Sequence, residues 1–195
     1  MTIEDALLYI VIGELSAAGT DLAVICAQAV AGGADIVRIE GGKVAADAAV
    51  RVSEICGRDN ALFIVGEDPG LAAAAGAQGV HFGSFDGAIG LARATLGFDA
   101  IIGFTTRTVD EARLALELGA DYLVHNAGAG CRAAFAALRD DASVPLFAGG
   151  ISGLEEAAEI VESGIYRLCI DSGTFGGNDV VENVAGYSRL LGRLI

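Results

Sequence analysis

The chain has 195 residues, 53% of them hydrophobic, and a formal net charge of −14. Twelve side chains are cationic and Lys43 is the single lysine, so nucleic acids and anionic membrane surfaces, which need basic patches, are poor partners. No apolar stretch approaches a membrane span, and the N-terminus lacks the basic start of a signal peptide. Four scattered cysteines without paired spacing point to a reducing, cytoplasmic setting.

Predicted strands and helices alternate along the chain. Leu7–Gly13 reads as the first strand, and Gly19-Thr20-Asp21 signals the start of the helix after it. Ile36–Glu40 is the second strand, Leu62–Gly66 the third and Val80–Gly83 the fourth. Ile101–Thr105, Tyr122–Asn126, Pro145–Gly149 and Leu168–Ser172 follow as the fifth to eighth. The helices between them show three–four spacing, as in Val109, Ala112, Leu114, Leu116 and Leu118. Thr108 and Glu111 have the spacing of a capping box, and Val180–Ile195 reads as a closing amphipathic helix.

Nearly the same residues recur where a helix ends and a strand begins: Gly33-Ala34-Asp35, Gly76-Ala77-Gln78, Gly119-Ala120-Asp121 and, more loosely, Gly164-Ile165-Tyr166. The intervals are 43, 43 and 45 residues, each the length of two strand–helix units. Glycine suits a helix C-terminus that needs a left-handed backbone, and the apolar run after it suits a strand buried on both faces. Four double units make eight strands and eight helices, which close into a single (β/α)8 TIM barrel over residues 1–195. Function then belongs at the C-terminal ends of the strands.

The sharpest chemical signal lies after strands seven and eight. Gly149-Gly150-Ile151-Ser152 and Ser172-Gly173-Thr174 put glycines where a strand stops and a helix begins. Bare N–H groups there bind phosphate oxygens, and the Ser172 and Thr174 hydroxyls could add donors. Glycines that merely permit tight turns are the blander alternative.

Leu8-Tyr9-Ile10-Val11, Ala31-Gly32-Gly33-Ala34-Asp35, Gly79-Val80-His81-Phe82-Gly83, Ile102-Gly103-Phe104-Thr105-Thr106 and Ala148-Gly149-Gly150-Ile151 stand in register from about Leu7 to Ser172. In order and spacing they resemble the landmarks of thiamine phosphate synthase and its relative TenI, the thiazole tautomerase. The resemblance implies a (β/α)8 barrel acting in thiamine biosynthesis, as transferase or tautomerase. The synthase joins a pyrimidine diphosphate to a thiazole phosphate, with Mg2+ steadying the departing diphosphate. A small phosphorylated molecule is the partner implied, held by Gly149, Gly150, Ile151, Ser172 and Gly173 with Thr105 and Thr106 after strand five.

The departures bear on activity. The family's glutamine–arginine–lysine pattern after strand two falls on Arg38, Glu40 and Gly42, with Lys43 displaced by one. Its asparagine–aspartate pair becomes Gly66-Glu67, its next acidic stretch keeps only Asp86, and its long strand-six loop is cut to Ala127-Gly128-Ala129-Gly130. A diphosphate leaving group needs cations or a metal, and losing one such donor costs about two to three decades of rate. Synthase activity is therefore expected to be weak or lost. Arg38 and Glu40 are candidate catalytic groups, and Glu67 and Asp86 could share Mg2+, although these acids could equally just solvate the barrel mouth.

His125 ends strand six, where a neutral imidazole could act as acid or base, whereas His81 within strand four suits a hydrogen-bonded structural role. Cys26, Cys56 and Cys169 read as small core residues, and Cys131 sits near a helix start. A non-catalytic relative that binds a phosphorylated ligand or a protein, and another phosphosugar-type barrel enzyme, are the alternatives. The apolar helices and the Leu190-Leu191 tail suggest a homo-oligomer.

Overall fold

A computed structural model describes residues 1–13, 21–40, 42, 44–85, 88–126, 131–138, 143–175 and 179–192. All four repeat glycines turn left-handed at a helix end, with φ of +97° at Gly33, +67° at Gly76, +90° at Gly119 and +92° at Gly164. The third residue of three joints also works. Asp35 Oδ2 accepts the N–H groups of Leu7 and Leu8 at 2.8 and 2.9 Å. Gln78 Oε1 accepts Phe63 N–H at 2.7 Å, and Asp121 Oδ2 accepts Ile102 N–H at 2.7 Å. Each joint thus ties an incoming strand to its neighbour at the barrel floor, which is a physical reason for the repeat.

The strands are β1 (Leu8–Ile12), β2 (Ile36–Glu40), β3 (Leu62–Gly66), β4 (Gly79–Phe82), β5 (Ile101–Thr106), β6 (Tyr122–Asn126), β7 (Leu146–Gly149) and β8 (Leu168–Asp171). Between and after them run α1 (Leu22–Ala31), α2 (Ala46–Arg58), α3 (Pro69–Ala75), α4 (Ala88–Leu96), α5 (Val109–Glu117), α6 (Cys131–Leu138), α7 (Leu154–Glu162) and α8 (Val180–Leu190). Every strand pairs in parallel with the next, and β8 returns to β1, closing a (β/α)8 barrel. Boundaries depart from the sequence expectation by a residue at several ends. Pro145 stays outside β7, having no N–H for the ladder, and Ser172 leaves β8 to begin a short 3-10 turn, Ser172–Thr174. Asp21 caps α1 by accepting Ala23 N–H, and Thr108 caps α5 by accepting Glu111 N–H. The Glu111 carboxylate reaches Arg107 N–H, one residue earlier than a capping box expects.

Strand alternation makes two cores. One faces the helices and joins Ile10, Val37, Phe63, Ile102, Leu123 and Ile170 to the inner sides of the helices. The other fills the lumen with Tyr9, Val11, Ile36, Ile64, Tyr122 and Phe147. Cys26 on α1 and Cys56 on α2 meet in the outer core with sulfurs 3.6 Å apart, both as free thiols, and Cys169 lines the lumen. Among the described residues no helix is long and apolar enough to cross a membrane.

Candidate functional site

Inward alternation on β2 carries Ile36, Arg38 and Glu40 up the lumen to the mouth. Glu40 Oε1 accepts from Arg38 Nε at 3.0 Å and Nη2 at 2.7 Å. The guanidinium carbon lies 5.7 Å from the centre of the Tyr9 ring. Only 13% of the Arg38 side chain is exposed, and its Nη1 is buried without a partner among the described residues. Burial opposes its charge, yet Tyr9, Cys169 and Glu40 around it hold its pKa above the usual arginine range. Gly66 makes room for Glu40, since a β-carbon there would sit 2.7 Å from Oε2.

A chain of hydrogen bonds crosses the lumen beside this pair. Tyr9 and Tyr122 hydroxyls are 3.0 Å apart, Tyr122 Oη is 2.9 Å from His81 Nδ1, and His81 Nε2 is 2.7 Å from Thr105 Oγ1. Burial and the nearby Arg38 charge push the His81 pKa well below the usual imidazole value, so this ring is neutral. Gly103 creates the space: a β-carbon there would collide with Tyr122 Cζ.

The structure separates the residues that sequence placed together. Thr105 faces the mouth, but Thr106 and His125 alternate outward, away from Arg38 and Glu40. Buried on the helix side, His125 has Nδ1 2.9 Å from Thr106 Oγ1. It lines a cleft of about 540 Å3 with Arg107 and Thr108, at the start of α5. Burial lowers its pKa and Glu111 partly opposes that. The inward residue at the end of β6 is instead Asn126, whose Oδ1 occupies the space a β-carbon on Gly149 would need. Inward–outward alternation on β6 was the signal that could have shown this.

At the ends of β7 and β8, Gly150 is left-handed with φ +72°, and Ile151 and Ser172 are buried. The donors nearby are partly taken by the chain's own carboxylates. Gly173 N–H donates to Asp171 Oδ1 at 2.7 Å, and Thr174 Oγ1 donates to the Asp171 carbonyl at 2.7 Å. Ser152 gives its N–H and its hydroxyl to Glu156 Oε2 at 2.8 and 2.7 Å, which lowers the Glu156 pKa.

Glu67, expected to share a metal, follows β3 with a left-handed backbone of φ +55°. Its Oε1 accepts Gly83 N–H at 3.1 Å. Asp86 and Lys43 lie outside the described residues, as do positions 127–130. Among the described residues no group of three or more His, Cys, Asp or Glu is placed to hold a metal. Glu40 is paired to Arg38 and Glu67 is bonded to Gly83, while the second ligand expected of a magnesium site, Asp86, is outside the described residues.

A family model described as thiamine monophosphate synthase matches residues 8–173. The thiamine-phosphate synthase of Methanoculleus marisnigri is 35% identical over 192 residues, covering 89% of each chain. That of Fusobacterium nucleatum is 29% identical, covering 94% of this chain and 98% of the other. A bifunctional protein ThiM/ThiE of Symbiobacterium thermophilum is 41% identical over 61% of this chain, a match that spans only 24% of that longer protein. Among solved structures, a thiamine phosphate pyrophosphorylase from Pyrococcus furiosus superposes with a TM-score of 0.83 at 22% identity, covering 98% of both chains, and so shares the fold. From the strand-one landmark to the turn after strand eight, the chain belongs to the thiamine monophosphate synthase family.

Proposed function

We propose that this chain is a divergent barrel of the synthase/TenI type in thiamine metabolism, binding a small phosphorylated ligand of the thiazole phosphate kind, with synthase activity weak or lost. One observation carries the reading: Arg38, the described cation at the barrel mouth that could meet a departing diphosphate, is engaged by a carboxylate of the chain itself. Glu40 holds two of the Arg38 nitrogens. Preorganised donors speed such chemistry only when they are aimed at the developing charge. A monophosphate asks for less. Gly150 and Ile151 supply backbone at a strand end suited to it, and Asp171 can yield Gly173 N–H to a stronger acceptor.

Purified protein given the pyrimidine diphosphate, thiazole phosphate and magnesium should form little thiamine phosphate while binding thiazole phosphate in calorimetry. Turnover at ordinary biosynthetic rates would refute the weak-synthase reading, and absence of thiazole phosphate binding would refute the ligand. Homo-oligomerisation belongs to the same proposal, supported by exposed Leu91, Phe98, Leu114 and Leu118 near α4 and α5. Cytoplasmic residence does too, supported by the free thiols of Cys26, Cys56 and Cys169.

A further inference from the structure

The lumen chain of hydrogen bonds can be polarised in two ways, because a neutral imidazole has one donor and one acceptor nitrogen. In the first, Tyr9 donates to Tyr122, Tyr122 to His81 Nδ1, and His81 Nε2–H to Thr105, leaving the Thr105 hydroxyl hydrogen for the mouth. In the second, Thr105 donates inward to Nε2 and the last hydrogen in the chain belongs to Tyr9. Arg38 decides between them. It is a buried donor with no acceptor lone pairs, set against the Tyr9 ring at 5.7 Å, and its charge opposes the effect of burial on the Tyr9 hydroxyl by favouring negative density on that oxygen. A Tyr9 hydrogen directed away from Tyr122 meets that charge. One directed at Tyr122 is satisfied at 3.0 Å.

We propose that His81 is a positioning residue: through Nε2–H it holds Thr105 Oγ1 so that the Thr105 hydroxyl donates to an acceptor atom of the ligand at the barrel mouth. The ligand therefore presents an acceptor, a phosphoryl oxygen or a ring heteroatom, to the end of β5. Thr105 is half-buried at the strand end, and its 2.7 Å contact with His81 fixes the oxygen while leaving the hydrogen to the mouth. Five aromatic contacts among Tyr9, His81, Tyr122 and Phe147 lock the rings that transmit this direction. The ligand side of this inference rests on the proposed function, whereas the polarity does not.

Nitrogen-15 NMR of the side chains tests the polarity without any ligand. The chain has two histidines, so His81→Gln assigns the signals by removal. The expected His81 ring carries its hydrogen on Nε2 and does not titrate between about pH 5.5 and 8. A hydrogen on Nδ1, or an imidazolium in that range, overturns the proposal. Calorimetry with thiazole phosphate tests the consequence. Thr105→Val and His81→Leu should each weaken binding about fivefold, with Thr105→Ser and His81→Gln restoring most of it, since each restored group regains one hydrogen bond. Equal binding by all four variants overturns the role of Thr105. Absence of binding by the unaltered protein instead counts against the proposed ligand and leaves the NMR result to decide the polarity.

Discussion

Glu40 meets Arg38 through a single carboxylate oxygen, which receives Nε at 3.0 Å and Nη2 at 2.7 Å. The pair matters because Arg38 cannot shed its charge and Nη1 already lacks a partner among the described residues. Glu40→Ala should therefore cost about 2 kcal/mol, the penalty of leaving a largely buried cation unmatched. Arg38→Met added to it should recover most of that loss, because removing both charges leaves nothing unpaired. Urea midpoints of the three proteins decide the matter. If the double variant were as unstable as the single one, the cost would lie in packing.

Two glycines in the same half of the barrel should respond to alanine with opposite signs. Gly103→Ala drives a methyl group into the Tyr122 ring, and also parts Tyr122 from Tyr9 and His81. Overpacking of this kind costs about 1–3 kcal/mol. Gly90 lies inside α4 with nothing within 4 Å of a β-carbon, so Gly90→Ala should stabilise by about 0.5–1 kcal/mol through helix propensity. Thermal melts of both variants check the pair, and a destabilised Gly90→Ala protein would contradict the open space seen there.

The barrel itself was legible because its signals are local. Gly33, Gly76, Gly119 and Gly164 mark helix ends by the backbone each requires, and β-strand runs of the right length follow them. The site was less legible, because a site depends on which way a side chain points. Thr105 and Thr106 are neighbours in sequence and belong to opposite faces of β5. His125 shares β6 with Asn126, and only Asn126 turns inward. By sequence Arg38 and Glu40 are two separate catalytic candidates, and strand alternation makes them one salt bridge. Asp171 and Glu156 are not legible in sequence, because a carboxylate near a phosphate loop reads as surface charge until its hydrogen bonds are seen.

Acid should destabilise the protein earlier than its carboxylates alone would. His81 and His125 both have pKa values below the ordinary imidazole value, chiefly because burial disfavours the imidazolium. The unfolded chain then binds more protons than the folded one as pH falls through about 6.5, so stability declines below that point and is fully present above it. Each histidine contributes at most about 1.4 kcal/mol per pH unit in that window. Glu156, whose pKa is lowered by Ser152, adds a further loss only at lower pH, as its carboxylate protonates. Urea midpoints measured from pH 8 to about pH 5 should fall, and His81→Gln should flatten the upper part of the curve. An unchanged slope in that variant would mean that His81 charges without cost.

The Asp171 carboxylate occupies a donor that a phosphate would use, and this makes a charge-specific prediction. Asp171 Oδ1 accepts Gly173 N–H at 2.7 Å, so an anion binding at the ends of β7 and β8 must displace or face a negative charge. Asp171→Asn keeps an oxygen for the turn and removes the charge, which at an effective dielectric near the surface repels a phosphate by about 1–4 kcal/mol. Inorganic phosphate should therefore bind Asp171→Asn at least several-fold more tightly than the unaltered protein, with the gain shrinking as salt screens the charge. Gly150→Leu should abolish binding in either background. Its β-carbon would have room, 3.7 Å from Asn126 Cβ, but φ of +72° suits glycine, and a branched side chain there forces the loop to turn. Calorimetry at two salt concentrations reads all of these outcomes. Phosphate affinity that is the same in Asp171→Asn as in the unaltered protein would place the anion away from the β8 turn and overturn this account of the site.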